Sequence, residues 1–496
     1  MEKLKIDFID RALTFFNPRA AYERIAWKFG IRSYDAGSTD RTNSGWTAIN
    51  APAEQMNQSR RDLLRARSRD LERNSCIAES IVGAFERNVI GTGLKLQAKP
   101  VNANEEEDDK LARQIEELFD EWCRAENCDI VGETDFNEMQ AMALRRMIVD
   151  GGYLFVIVDN PYKGKFSFML QMREVDDIDG NKFSYRTENG NRIINGVELN
   201  KFNKPVAYWL KNTSPDGLTL GESTRVSAER VIYLNKRIRP SQVREVPKLA
   251  NTIDLIRDLN EFTEAISIKE RVLACLAVFI RKALPGNGGP GRGSIASANV
   301  DKTSGYQTKT LAPGMISELQ PGDDISTVNP SGQASNAKDF ISSEQRLAAS
   351  GQGLSYETVS RDMSQVNYSS ARQGLIEDDK TYEMIRHYIR RKLCETVFRE
   401  FVAQCVLEGK LKISDFSSNK EKYLRHSWIA PGRNWIDPLK EVNANEKALN
   451  SNQTTLAQIC RASGQDWREV IKQRAAEKQF AESLGLTEGD KNVKTK

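Results

Sequence analysis

The stretch VPKLANTIDLIRDLNEFTEAISIKERVLACLAVFI, residues 246–280, decides how this chain is read. Leu249, Ile253, Ile256, Leu259, Phe262 and Ile266 recur at spacings of three and four, which predicts one long helix with a continuous apolar face. Asp254, Asp258 and Glu261 form a second stripe at i, i+4 and i+7. Such a stripe is either the wet side of a helix or the lining of a passage in which a polyanion slides without sticking.

On the C-terminal side punctuation takes over with LPGNGGPGRGSIASANVDKTSG, followed by strand-like pieces around YQTKTL and GMISEL. Gly286, Gly288 and Gly291 match a dinucleotide-binding spacing, but Pro290 interrupts it and no strand-to-helix context surrounds it, so the segment reads as a loop. Helicity resumes near Asn336, breaks around Gly351 and Gly353, and returns from about Ser370 to Glu408. There Ile385, Ile389, Leu393, Val397 and Phe401 make an i, i+4 ridge. Between these helices lies YETVSRDMSQVNYSSARQGLI, residues 356–376, which reads as a polar loop rich in Ser, Asn and Gln.

On the N-terminal side a mixed region is expected. Residues 1–55 read as a loosely organised arm with one helix around AAYERIAWKF. From Glu54 to Ile90 the pattern is a long helix in which Arg60, Arg61, Arg65, Arg67, Arg69 and Arg73 alternate with Asp62, Asp70 and Glu72, which predicts a solvated, salt-bridged face in preference to a nucleic-acid patch. GTGLKLQAKPV reads as a strand, and the acidic run after it as a helix start with Leu111, Ile115, Leu118 and Trp122 on its apolar stripe. Asp135 and Glu138 form a potential capping box. YLFVIV, FSFMLQMREV, NRIINGVEL and PVAYWL are strand candidates, with Asn189-Gly190 and Asn195-Gly196 as turn formers. DDIDGN (176–181) lacks the glycine register and closing glutamate of a calcium loop and reads as a turn. Beyond residue 437 two or three short helices are expected.

Composition narrows the function. No window is apolar enough for a membrane span, and the start, with charges scattered among its apolar positions, lacks a secretory signal pattern, so a cytosolic chain with no membrane partner is expected. The seven cysteines contain no CxxC pair, and most should be small core residues. His387 and His426 are the only histidines, which leaves little material for Ser-His-Asp chemistry or a histidine metal site; His387 is expected to be a partly buried helical residue. A net charge of +3 from 72 Lys and Arg against 69 Asp and Glu implies that any grip on DNA is local or weak. No catalytic residue, metal ligand or cofactor is assigned.

The order of elements, together with RDLLRARSRDLERNSCIAESIVGAFERNVIGTGLKLQAKP (61–100), NGVELNKFNKPVAYWL (195–210), NYSSAR (367–372) and WIAPGRNWIDPLKEVNANEKAL (428–449), resembles the lambda-like branch of the phage portal proteins. The resemblance implies a helix-rich α+β fold with an α/β wing, a two-helix stem, a small α/β clip and a helical crown. It divides the chain into an N-terminal arm (1–55), wing (56–245), stem helix (246–275), clip (276–335), second stem helix (336–353), tunnel loop (354–369), long wing helix and return (370–436) and crown with C-terminal tail (437–496). It further implies a ring, typically dodecameric, at one capsid vertex, through which double-stranded DNA is packaged and ejected without regard to sequence. The partners it implies are the terminase large subunit, head completion or tail adaptor proteins, and the major capsid and scaffold proteins. The location it implies is the virion, after assembly in the host bacterial cytoplasm.

Within that frame Arg361, Gln365, Asn367 and Arg372 are the residues expected to face DNA in the tunnel loop, with Asp362 moderating the attraction, and Asp254, Asp258 and Glu261 are the candidate channel lining. Loop capping or intersubunit hydrogen bonding is the alternative role for each loop residue. Two rival functions stand beside this one: a metal-dependent nucleic-acid enzyme using Asp176, Asp177 and Asp179, and a minor capsid or head structural protein.

Overall fold

In the computed structural model the described residues are 48–102, 105–162, 164–214, 216–274, 278–280, 316–318, 337–432 and 437–484, with residues 15, 17 and 45. The expected helix at 20–29, the strand around YQTKTL and the Gly286–Gly291 loop lie outside them. The chain divides into two units, Met1–Gln55 and Met56–Lys496.

The second unit begins with α1 (Arg61–Asn74) and α2 (Cys76–Phe85), which runs into a π-helical turn, Glu86–Ile90. β1 (Lys95–Ala98), α3 (Asp109–Trp122), α4 (Phe136–Val149), β2 (Gly152–Asp159) and β3 (Phe168–Arg173) come after it. Next are β4 (Arg192–Ile194), β5 (Val197–Leu199), β6 (Pro205–Leu210), β7 (Thr224–Ser227) and β8 (Val231–Asn235). α5 (Ile253–Ala274) is followed by β9 (Val278–Ile280) and β10 (Ile316–Glu318), which pair in parallel, and then by α6 (Ala337–Gln352). α7 (Tyr356–Ser360), α8 (Tyr368–Ile389), a second π-helical turn (Arg390–Cys394) and α9 (Glu395–Leu407) complete the long helical run. A short helix, Phe416–Tyr423, leads to β11 (His426–Ile429), and the expected C-terminal helices are three: α10 (Pro438–Asn450), α11 (Leu456–Ala462) and α12 (Trp467–Ser483).

The architecture is a helix-rich α+β one with four sheets among the described residues: β3-β2-β8, β4-β5-β6-β7 and the pair β1-β11, all antiparallel, and the parallel pair β9-β10. Asn195 and Gly196 both have positive φ, +48° and +79°, as the two-residue turn between β4 and β5 requires. The capping box is present, Asp135 accepting from the Glu138 N–H at 2.8 Å and Glu138 from the Asp135 N–H at 3.0 Å. The i, i+4 ridge of α8 and α9 is buried throughout. On α3 the buried stripe is Ala112, Ile115, Phe119 and Trp122, with Leu111 and Leu118 at its edge. Phe119 is absent from the stripe expected on sequence, yet its ring meets those of Trp122, Phe136, Phe398, Phe401 and Trp428, so β11 and α9 close over α3 through one aromatic cluster.

Two sequence expectations are corrected here. The single helix from Glu54 to Ile90 is broken at Ser75, whose hydroxyl caps α2 by accepting from the Ala78 N–H. The arginine run is not uniformly solvated: Arg60, Arg67 and Arg73 are exposed, but Arg61 and Arg65 are buried and Arg69 is half-buried. Arg61 donates to the Glu245 backbone carbonyl at 3.2 Å, and Arg65 reaches that residue's fully buried carboxylate. It receives Arg65 Nη1 at 3.0 Å, Arg244 Nε at 2.8 Å, Arg244 Nη2 at 2.9 Å and the Tyr233 hydroxyl. Burial alone raises its pKa, but Arg244, and then Arg61 and Arg65, outweigh burial and hold it at about 2. Arg69 forms a bidentate pair with buried Asp150 at 2.7 and 3.1 Å.

Glu245 stays ionised in the fold well below the ordinary carboxylate range, so its stabilisation is complete above the unfolded pKa near 4.5 and is lost as pH falls through about 2. Glu245→Gln leaves buried guanidinium groups without their counter-charge and should cost about 3–5 kcal/mol in a urea titration at pH 7. The deficit should shrink in acid, and equal stability of the two proteins at pH 7 would refute the electrostatic account.

Candidate nucleic-acid interface

The helices that frame the polar segment are held at one root. α5 and α6 pack side by side, with the Phe262 and Phe340 rings 4.5 Å apart. At the body end the Gln352 side chain donates to Thr252 Oγ1 at 2.9 Å and Asn251 Oδ1 at 3.0 Å, and Lys248 Nζ donates to the Gln352 carbonyl at 2.9 Å. Lys248 also lies over the Phe85 ring at 4.8 Å, and burial brings its pKa down to about 8.

The segment expected to be a continuous loop is structured over half its length. α7 occupies Tyr356–Ser360, and buried Asp378 of α8 anchors it by accepting from the Ser355 N–H and hydroxyl, each at 2.7 Å, and from the Thr358 hydroxyl at 2.6 Å. The Val359 carbonyl accepts from Ser80 at 2.5 Å and the Val359 side chain is buried. Only residues 361–367 remain as loop before α8 begins at Tyr368.

Arg361 ends α7 in the left-handed region, φ +56°, an uncommon conformation for a side chain of this size. Its side chain is exposed, as is that of Gln365. Asp362 accepts from the Ser364 N–H at 2.9 Å, and hydrogen bonds from Ser364 lower its pKa, so it stays charged beside Arg361. Asn367 is the N-cap of α8, its side chain accepting from the Ser370 N–H at 2.9 Å, which is the capping alternative expected of it. Arg372 is exposed on the second turn of α8. Neither Arg361 nor Arg372 makes an ion pair among the described residues. The structure therefore brings Arg361, Gln365 and Asn367 into one short exposed loop and places Arg372 on the helix behind it.

Asp254, Asp258 and Glu261 are exposed on the face of α5 opposite Ile253, Ile256 and Leu259. Arg257, which the acidic pattern alone overlooks, lies within the stripe, donates to Asp258 at 2.8 Å and sits 3.4 Å from Glu261. A cation at i+3 from Asp254 is found by the same helical count that gives the acids. The stripe is thus weaker in charge than three carboxylates imply.

The rival carboxylates are engaged elsewhere. Asp176 accepts from Arg69 at 2.6 Å and lies 3.3 Å from Arg65, Asp177 pairs with Arg173 at 3.1 Å, and Asp179 accepts from the Asn181 N–H. Among the described residues no group of His, Cys, Asp and Glu is arranged to hold a metal ion, and no helix is long and apolar enough to cross a membrane. His387 is exposed, not partly buried; His426 instead packs at a tilt against Phe398, with ring centroids 4.5 Å apart.

Residues 39–386 match the family described as phage portal protein, lambda family. The chain belongs to that family. It is 25% identical over 462 residues to the probable portal protein of Halomonas phage phiHAP-1, covering 92% of this chain and 88% of the relative. It is 21% identical over 457 residues to portal protein B of Escherichia phage lambda, covering 85% of this chain and 84% of the relative. Among solved structures, a chain from the neck of a native gene transfer agent particle, computed with C12 symmetry, superposes with a TM-score of 0.38 at 12% identity, covering 72% of this chain and 91% of that one.

The loop geometry makes a specific expectation. Asn367→Ala removes the cap of α8 and should lower stability by about 1 kcal/mol, read from the thermal midpoint. Arg361→Gly should be neutral or slightly stabilising, because glycine accepts positive φ, whereas Arg361→Val should destabilise. Equal stability of the Gly and Val variants would show that the turn relaxes.

Proposed function

We propose that this protein is the portal subunit of a phage-type capsid, a non-enzymatic ring whose mechanism is geometric. A heterologous head-to-tail interface closes the ring. α5 and α6 are its stem, the residues between them a clip for the packaging motor and later the head completion proteins, and α10 to α12 its crown. DNA contact falls to residues 361–367 of each subunit. ATP hydrolysis belongs to a separate terminase, in keeping with the lack of a GxxxxGK[ST] phosphate loop in this sequence.

The observation that carries this reading is the anchored, lightly charged loop. Asp378 fixes the chain just before residue 361 and Asn367 caps the helix just after it, so a short polar arc is held at both ends on a rigid body. One arginine beside one aspartate, with Ser and Gln between helices, suits brief, sequence-independent contact with phosphates better than a basic cluster, whose affinity would rise steeply with each cation.

Replacing residues 360–367 by a Gly/Ser linker should leave rings visible by electron microscopy while packaging, or retention of packaged DNA, falls. Full packaging by such rings would refute the role of the loop. Divalent-metal-dependent cleavage of DNA by the pure protein, abolished by Asp177→Ala, would instead establish the nuclease rival.

Reversing Asp254, Asp258 and Glu261 to Lys should slow DNA passage and make rings retain linear DNA at low salt, if the stripe faces the channel. Unchanged weak retention would place the stripe against solvent or a neighbouring subunit.

A further inference from the structure

A groove remote from this loop gathers cations with no acid among its lining residues. It encloses about 570 Å³ and draws Lys204 from the start of β6, Lys236 and Arg237 from the end of β8, and Arg391 and Lys392 from the π-helical turn after α8. All five side chains are exposed, and none makes an ion pair among the described residues. Elsewhere this protein pairs its arginines densely, as Arg65, Arg69, Arg145 and Arg146 show. Five like charges left together cost free energy unless something anionic offsets them. Partial desolvation of the Lys392 ammonium at the groove, and then the nearby charges of Arg391 and Arg237, lower its pKa.

At the rim of the groove Phe202 is 77% exposed on the turn Lys201–Phe202–Asn203–Lys204, with Lys201 Nζ 4.9 Å from its ring. A solvent-facing patch of cations without ion-pair partners suits the phosphate backbone of a nucleic acid. Three of the five groove cations are lysines, which meet a phosphate as point charges in any orientation, whereas register-specific carboxylate pairing favours arginine forks. In the acidic run at 105–109, Arg468 holds Glu107 and Asp109 and Asp108 caps α3, which leaves Glu105 and Glu106 as its remaining exposed charges.

Position separates the groove from the loop. Asn367 and Arg391 flank α8, roughly 36 Å apart at 1.5 Å per residue. We propose that the groove is a second, sequence-independent nucleic-acid surface, which holds the phosphate backbone of duplex DNA lying outside the channel. The proposal shares with the channel reading only the class of partner.

The test uses the assembled full-length protein and a relaxed, closed DNA minicircle, which has no end to thread through a channel. The parent should bind the circle with steep salt dependence. In the variant K236Q/R237Q/R391Q affinity at low salt should fall roughly tenfold or more, and the slope of log K against log salt should flatten by about 2–3. The linker replacement of residues 360–367 should bind the circle as the parent does, so that failure of the channel reading and failure of this one are seen separately. No binding by the parent, equal binding by parent and variant, or uptake of poly-glutamate in place of the circle would overturn the proposal. If the triple variant does not assemble, K204Q/K392Q reads the same quantity; if neither assembles, the groove is an interface between copies and the proposal fails.

Discussion

The body of this protein is organised around the need to neutralise one buried carboxylate. Glu245 has no access to water, so its charge persists only because Arg65 and Arg244 reach it from different parts of the chain. Arg244 extends the network by donating to the Asn195 and Val175 carbonyls, and Arg61 by donating to the Glu245 carbonyl. α1, the turn between β4 and β5, the segment after β3 and the strand-bound Tyr233 are thereby referred to a single point. Two residues later Pro247 passes so close to Gly151 that a Cβ there would meet the Val246 carbonyl carbon at 2.4 Å, and Gly151 takes φ +92°. The start of α5 is therefore fixed by electrostatics on one side and by backbone contact on the other.

From that fixed point the polar segment 356–376 is placed by a chain of short polar contacts. Gln352 locks the end of α6 to the residues before α5, Asp378 locks α7 to α8, and Arg386 donates to the Asn88 and Val89 carbonyls at 2.5 and 3.0 Å, satisfying the π-helical turn after α2. Each buried polar group holds an element that hydrophobic packing alone would leave free to slide. The exposed residues 361–367 are what remains between these anchors.

Much of this is legible in the sequence because it depends on local pattern. The apolar period of α5, α8 and α9, the Asp135 and Glu138 box and the Asn195-Gly196 turn are set by neighbours within a few residues, and the family strings are contiguous. The direction of the arginines is not legible, since whether Arg65 points to solvent depends on Glu245, 180 residues away. The short helix at 356–360 is hidden for the same reason: it carries a single buried apolar residue, Val359, and the carboxylate that anchors it stands at position 378. The basic groove draws on three separated dipeptide-scale fragments, none of them a charge run by itself.

The joint between α5 and α6 carries a consequence for how such a chain can change. Their register is set at the body end by Gln352, Lys248 and Thr252 and along their length by Phe262 and Phe340, all outside the intervening residues 275–336. Lengthening a connection whose ends are already held adds little closure entropy, about 0.6 kcal/mol for each doubling. The connection can therefore be lengthened or exchanged as a cassette while the spacing of α5 and α6 stays the same.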